Sequence, residues 1–269
     1  MERFEKSLHA EARDLLKELR ILGKVTAPAA LLPGVLMRIG HGDASWRLET
    51  PIGRVFIAYN KNGISAIMRA KDFVDFKRSF RLRFGRSVYP VNKPPVHLIR
   101  DVSKQLSGIN RPKLTFNLHS LSDFERSVLF KTLEIPRGEV RPYAWIAREI
   151  GYPMAVRAVG SALAKNPIPL LIPCHRVVLS DGHIGNYAFG KEAKRTMLSA
   201  EGVDPDGLEG LARSGVRYYG SDTTHIFCFP TCHKAQKISD RHKILFKSEI
   251  EAIRAGYHPC KICRPTGAL

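Results

Sequence analysis

Residues 142–178 read PYAWIAREIGYPMAVRAVGSALAKNPIPLLIPCHRVV. Two short stretches of helical period, PYAWIAREIGY and MAVRAVGSALAKN, meet around Gly151-Tyr152-Pro153. A helix, a brief glycine-containing turn and a second helix rich in Ala and Val make a helix-turn-helix outline. The stiff run NPIPLL then delivers the chain to IPCHRVV, where Cys174 stands beside His175 and Arg176. The chain has five cysteines, and the other four lie in its last 42 residues. On residue type alone Cys174 is a nucleophile, a metal ligand or a core residue.

Upstream, LSDFERSVLFKTLE places Ser122 three residues before Glu125, the spacing of a capping box at a helix start. Residues 47–70 hold two β-rich runs around Asn62-Gly63, a hairpin signal. A helix is expected over DFVDFKRSFRLRFG, with Phe73, Phe76, Phe80 and Phe84 on one face, and another over HLIRDVSKQLSG. Near the N-terminus, residues 4–22 read as an amphipathic helix, and APAALLPGVLMRIG as a shorter one interrupted by Pro33-Gly34. Residues 203–220, with Pro205, Gly207, Gly210 and Gly215, read as a connection between domains.

The chain is 269 residues long, enough for about two domains, and 44% hydrophobic, which argues against wholesale disorder. Its net charge of +18 points to a polyanionic partner, nucleic acid ahead of a membrane surface. The excess is +12 over residues 1–119 and +3 in each of 120–202 and 203–269, so it is not one basic tail. No secretory signal pattern opens the sequence, and no apolar run reaches the ~18–20 residues of a membrane span. These features predict a soluble, intracellular protein. In that compartment clustered cysteines bind metal more often than they form disulfides. Cys228-x3-Cys232 and Cys260-x2-Cys263 can bring four thiolates to one tetrahedral ion, with zinc the default. The alternative is disulfides or unlinked thiols. His225, His233, His242 and His258 are then surface or supporting groups.

The segment from RGEVRPYAWIAREIGY through NPIPLLIPCHRVV to GNYAFGKEAKRTMLSAEG resembles the catalytic domain of the O6-alkylguanine-DNA alkyltransferases, the methylated-DNA–protein-cysteine methyltransferases. Through TPIGRVFIAYNKNGI, residues 46–120 are more loosely similar to that family's ribonuclease H-like domain. TTHIFCFPTC and AGYHPCKICRP resemble the metal-binding methyl-acceptor domain of Ada proteins, here placed after the alkyltransferase region instead of before it. The resemblance implies a multidomain α/β plus α protein: a helical extension over 1–45, a ribonuclease H-like α/β domain over 46–120, a winged helix-turn-helix-like catalytic domain over 121–202, a linker over 203–220, and a small α+β zinc domain over 221–269.

The same resemblance implies roles. Cys174 is the alkyl acceptor, His175 the base that reaches it through a water, Glu201 the group orienting His175, and Asn166 the residue holding the turn before the active-site loop. The second helix enters the minor groove of double-stranded alkylated DNA, and the base is flipped out of the stack. Arg157 fills the gap, and Tyr143 helps rotate the nucleotide and hydrogen-bonds guanine. Ala158, Gly160, Ser161 and Ala162 allow close approach, and Ser161, Val177, Tyr187 and Ala188 contact substrate or DNA. Phe189 stands where the family has a small residue, so a bulky ring is expected near the pocket lid. In the tail, Cys228 matches the cysteine that accepts methyl from a backbone phosphotriester while bound to zinc with Cys232, Cys260 and Cys263. Phe229 replaces an arginine there, and Gln236 a basic residue, so a zinc site that is only structural or DNA-docking stands as the alternative.

The expected activity is a single-turnover methyl transfer from O6-alkylguanine by a monomer in the cytoplasm associated with the nucleoid, and the sequence leaves open whether O4-methylthymine is also a substrate. A methylation-sensing regulator of an adaptive response is the alternative, although no second, activator-type helix pair is left unassigned. A non-catalytic damage-binding protein is disfavoured by the presence of Cys174.

Overall fold

The computed structural model describes residues 31–39, 41–108 and 113–266. The helix expected at 4–22 lies outside the described residues.

Helix α1 (Leu31–Ile39) runs through Pro33-Gly34 instead of being interrupted there. Pro33 falls in the first turn, where a missing N–H removes no helical bond. Strands β1 (Gly42–Thr50), β2 (Gly53–Asn60) and β3 (Gly63–Met68) form an antiparallel meander, and β4 (Ser87–Pro90) pairs parallel to β1. The sheet order is β3-β2-β1-β4. The Asn62-Gly63 hairpin forms as expected. Gly63 has φ +113°, and a Cβ there would fall 2.2 Å from the Thr115 carbonyl oxygen, so only glycine fits.

Helix α2 (Phe73–Phe84) starts at Asp72, whose side chain accepts from the Asp75 amide, and stops at left-handed Gly85. Its phenylalanines form the expected apolar face. Phe76 and Phe80 are buried against Phe56, Ala58, Ala66 and Val88 on one side of the sheet. The opposite side, with Val55, Ile57, Ile64 and Ile67, joins the core of the following region. Helix α3 (Val96–Ser107) ends at another left-handed glycine, Gly108.

Helix α4 (Asp123–Leu133) carries both bonds of the Ser122–Glu125 capping box. Next come β5 (Arg141–Pro142), α5 (Tyr143–Glu149) and α6 (Val156–Ala164). Gly151, at φ +84°, lets the chain leave α5 sharply, as the glycine-containing turn suggested. A one-turn 3₁₀ helix over Cys174–Arg176 leads into β6 (Val177–Val178), which pairs parallel to β5, and α7 (Lys191–Ala200) follows. The first sheet props this region directly. The Ile67 amide of β3 donates to the Pro167 carbonyl at 2.8 Å, and Arg83 Nη2 donates to the carbonyls of Lys165 and Asn166 at 2.9 and 3.2 Å.

The stretch read as a linker is not one. Residues Pro205–Arg213 form helix α8, with Asp204 as N-cap and proline at its first position. Leu208 and Ala212, four apart, are buried. Gly207 and Gly210 lower helix propensity, but tertiary burial of that stripe overrides it. The tail sheet also begins inside the expected linker. It contains β7 (Tyr218–Ser221), β8 (Ile226–Cys228), β9 (Lys243–Phe246) and β10 (His258–Pro259) in the order β10-β8-β7-β9, with α9 (Glu249–Arg254) between the last two strands. None of the helices among the described residues is long and apolar enough to cross a membrane.

Candidate active site and metal centre

Asn166 sits just beyond α6 and ties the following loop together. Its Nδ2 donates to the Ile172 carbonyl at 3.1 Å and to Cys174 Sγ at 3.2 Å, and its Oδ1 accepts from the Ile168 amide at 2.9 Å. Within that loop Leu170 is held at φ +76°, a conformation costing about 1–3 kcal/mol for a non-glycine residue. The bonds from Asn166 oppose that cost and fix where Cys174 emerges.

Cys174 is 7% exposed. Burial pushes its thiol above the ordinary range, although the Asn166 hydrogen bond and the charge on Lys194 act against it. His175 follows on the 3₁₀ turn and is fully buried. Its Nε2 lies 2.9 Å from Glu201 Oε1. Arg176 grips the same carboxylate with Nε and Nη2, both at 2.8 Å, and spends Nη1 on the Ile135 carbonyl. Burial alone would raise the Glu201 carboxyl. Hydrogen bonds from His175 and Arg176 overcome it and hold the group at about 2. Burial lowers His175, so the ring is neutral at pH 7 despite its carboxylate partner. With Nε2–H donated to Glu201, the lone pair resides on Nδ1, which is buried and has no partner among the described residues.

A cavity of about 340 Å³ opens at Cys174, within the range of small-ligand pockets. Tyr143, Gly160, Leu163 and Ala164 line one part, and Asn186, Tyr187 and Ala188 another. Burial, then the nearby Cys174, raises the Tyr143 and Tyr187 phenols, so both stay protonated. Tyr187 presents its ring edge-on to His175, centroids 5.9 Å apart. Phe189 is not among the lining residues. Its ring packs edge-on against Tyr187 at 5.6 Å, so the bulky residue buttresses the lid instead of filling the pocket.

The structure thus gathers Cys174, His175, Glu201, Asn166, Tyr143, Tyr187 and Ala188 at one place. Arg157 and Ser161 lie on the exposed face of α6 with Ala158, and Arg157 has no ion-pair partner among the described residues. Two expectations differ. Val177 is fully buried and outside the cavity lining; it contributes its carbonyl to Lys194. Ala162 faces the core, not the surface.

Lys194 escaped the sequence reading. Its ammonium is buried and donates to the carbonyls of Val177 (2.6 Å), Ile184 (2.6 Å) and Asn186 (3.2 Å), stitching the segment after Cys174 to the loop that ends in Tyr187. Burial lowers it to about 8. The signal was there: Lys194 shares the helical stripe of Ala193, Met197 and Leu198, an odd place for a charge.

Comparison with known proteins follows the same division of the chain. Residues 123–203 match the family described as 6-O-methylguanine DNA methyltransferase, DNA binding domain. A methylated-DNA–protein-cysteine methyltransferase of Methanosarcina barkeri is 37% identical over 158 residues, which cover 57% of this chain and 94% of the relative. The chain belongs to the methylated-DNA–protein-cysteine methyltransferase family. The human methyltransferase is 46% identical over 92 residues, 34% of this chain and 44% of that protein. Among solved structures, Mycobacterium tuberculosis OGT in complex with DNA superposes with a TM-score of 0.50 at 27% identity, covering 61% of this chain and 98% of that one. Like these alkyltransferases, the chain has mixed α/β content.

Residues 212–266 match the metal binding domain of Ada, an addition to the methyltransferase proper. The sulfurs of Cys228, Cys232, Cys260 and Cys263 all lie within 4.8 Å of one another, and all four residues are buried. Four thiolates that close repel one another unless a cation joins them. This soft, all-sulfur donor set fits one zinc ion. The tail histidines do not join the four-sulfur group, although a ring nitrogen of His233 lies within 4.8 Å of the Cys232 sulfur. His242 pairs with Asp222 at 2.8 Å, and His233 with Glu139 at 3.2 Å. Phe229 is buried, with the Arg141 guanidinium 5.3 Å from its ring centroid.

Proposed function

We infer that the protein repairs alkylated DNA by direct reversal, moving the alkyl group of an O6-alkylguanine irreversibly to Cys174. The observation that carries this reading is the Cys174 thiol at a base-sized cavity beside the His175–Glu201 pair. In the resting site the thiol is protonated and His175 is neutral. His175 Nδ1 takes the thiol proton, through one water as the family resemblance implies, while Glu201 stabilises the imidazolium that forms. The sulfur attacks the alkyl carbon. The S–C bond forms, the C–O6 bond breaks, and its electron pair stays with guanine. Tyr143, kept protonated, offers its O–H to the leaving base. The product thioether has no nearby group able to reverse it, so each molecule acts once.

The exposed face of α6 suits a duplex, with Arg157 free to fill the space of a flipped base and small Ala158 and Ser161 allowing close approach in the minor groove. The α5–turn–α6 unit, flanked by the paired strands β5 and β6, is read as a winged helix-turn-helix, and the first sheet with α2 and α3 as a ribonuclease H-like domain. On this reading the protein acts as a monomer in the cytoplasm and associates with the nucleoid.

Cys228 is proposed as a second acceptor, for methylphosphotriesters. It lines a groove of about 840 Å³ together with Lys234, Lys237, Lys261, His242 and His258, a cationic lining suited to a phosphate backbone. Zinc held by the four cysteines would keep their sulfurs deprotonated at neutral pH. A regulatory role, in which methylated Cys228 changes DNA affinity, rests on the same groove.

Intact-mass analysis after mixing with O6-methylguanine duplex tests the main reading. One methyl on the peptide bearing Cys174, absent in Cys174→Ala, is expected, and no transfer overturns it. A methylphosphotriester duplex tests Cys228 in the same way, and metal analysis should return about one zinc per chain.

A further inference from the structure

The metal-binding tail does not hang free of the alkyltransferase site. It grips residues 139–149, the segment that leads into β5 and continues through α5. The Val140 amide donates to Thr231 Oγ1 at 2.9 Å, and Glu139, 4% exposed, accepts from the His233 amide at 3.2 Å. Trp145, 3% exposed, donates its indole N–H to the carbonyl of Cys263 at 3.0 Å. One turn on, Arg148 donates to the Pro265 carbonyl at 2.7 Å, and Glu149 pairs with Arg264 at 2.6 Å. Phe229, one of the two tail residues that depart from the Ada pattern, lies 5.3 Å from the Arg141 guanidinium, which is also 5.8 Å from the Trp145 ring.

The same helix begins with Tyr143, which faces the Cys174 cavity. So α5 has the cysteine cluster on one side and the base pocket on the other. A helix of seven residues has little stiffness of its own and takes its position from what it packs against. The Cys263 carbonyl can be held in place only if the loop around that cysteine is fixed, and four clustered thiolates are fixed only when joined.

We propose that Trp145 is a positioning residue for alkyl transfer: its bond to the Cys263 carbonyl makes the integrity of the tail's cysteine cluster set the placement of Tyr143 in the base pocket. The tail then serves the Cys174 reaction in cis, whether or not Cys228 accepts methyl. The claim rests on the reading of Cys174 as the acceptor, but its principal readouts do not.

The test compares wild type and Trp145→Phe, each metal-loaded and chelated. Phe keeps the buried ring and loses only the N–H donor. Two signals need no activity. In a Trp46→Phe background Trp145 is the sole indole, and chelation should shift its emission to the red. Amide exchange across residues 143–149 should rise on chelation, while residues 55–67 of the first sheet stay protected. The third signal is single-turnover transfer from O6-methylguanine duplex. Chelation should slow wild type by roughly 5- to 10-fold at saturating duplex, the weight of about one hydrogen bond. It should leave labelling of Cys174 by iodoacetamide, read on the Cys174 peptide, unchanged. Trp145→Phe should show most of that loss already loaded, and respond less to chelation. Should Phe fail to fold, Arg148→Ala removes the neighbouring bond from α5 to the tail, at the Pro265 carbonyl. Unchanged emission and exchange on chelation, or losses from chelation and from Trp145→Phe that multiply independently, would overturn the proposal. Absent methyl transfer with the emission and exchange changes intact would sink the reading of Cys174 and leave the coupling standing.

Discussion

His175 Nε2 and Glu201 Oε1 lie 2.9 Å apart, and this bond decides which imidazole nitrogen is basic. The carboxylate fixes the proton on Nε2 and leaves the lone pair on Nδ1, the nitrogen proposed above to take the proton from sulfur. Glu201 can do this because Arg176 holds its other oxygen and keeps it ionised. His175 and Arg176, consecutive on the 3₁₀ turn, and Glu201, 25 residues further along the chain, therefore act as one unit.

Glu201→Gln should break that unit. Gln presents a single acceptor and leaves buried Arg176 without its counter-charge, at a cost of about 3–5 kcal/mol in stability. Methyl transfer to Cys174 should fall on the order of 100-fold, read by single-turnover mass analysis. The wild-type acid limb follows from the same group. Its carboxyl sits at about 2 against an ordinary value of 4.5, so the stability it contributes is fully present above 4.5 and is lost as pH falls through about 2. Denaturation across that window should show the loss in wild type and a flatter profile in the variant.

Lys194 gives the opposite limb. Its pKa of about 8 lies below the ordinary 10.5, so the folded state binds fewer protons than the unfolded one between those values. The stability linked to this group is fully present above 10.5 and is lost as pH falls through about 8. Lys194→Met should remove that dependence, strand three carbonyls, and raise the Cys174 thiol further by deleting a nearby positive charge. Labelling of Cys174 by iodoacetamide against pH measures the last effect. Equal curves for variant and wild type would show that the charge does not reach the sulfur.

Much of this was legible in the sequence, and the failures have physical causes. The hairpin, the capping box and the phenylalanine face of α2 are short-range features that their own residues dictate. Cys174, His175 and Glu201 were found because a run of specific residues carried a resemblance, not because spacing placed them together. The linker reading failed because two glycines hid a helix whose stability comes from burying Leu208 and Ala212. Lys194 was missed because three backbone carbonyls, supplied by other segments, are what make a buried ammonium tolerable. The grip of the tail on α5 was invisible too, since each contact spans about 90 residues or more of chain.

Phe189 gives a prediction about substrate range. It does not occupy the cavity but packs edge-on against Tyr187, which lines it. Phe189→Gly should free Tyr187, at a stability cost of about 1–3 kcal/mol from lost packing and added chain freedom. Transfer from an O6-benzylguanine duplex should then gain relative to O6-methylguanine. A competition between the two substrates reads the ratio directly, and an unchanged ratio would mean that Tyr187 is held by the core alone.

Arg157 separates base flipping from chemistry. It is exposed on α6 and has no ion-pair partner among the described residues, so Arg157→Ala should change stability by less than about 0.5 kcal/mol. Extruding a base costs a few kcal/mol, and a side chain filling the vacated space repays part of that. Without it, transfer from duplex should slow by about 10-fold. The free base O6-methylguanine needs no flipping, so its slow reaction with Cys174 should be the same in variant and wild type. A loss with both substrates would place Arg157 in the chemistry of the pocket, and no loss with either would remove α6 from the DNA interface.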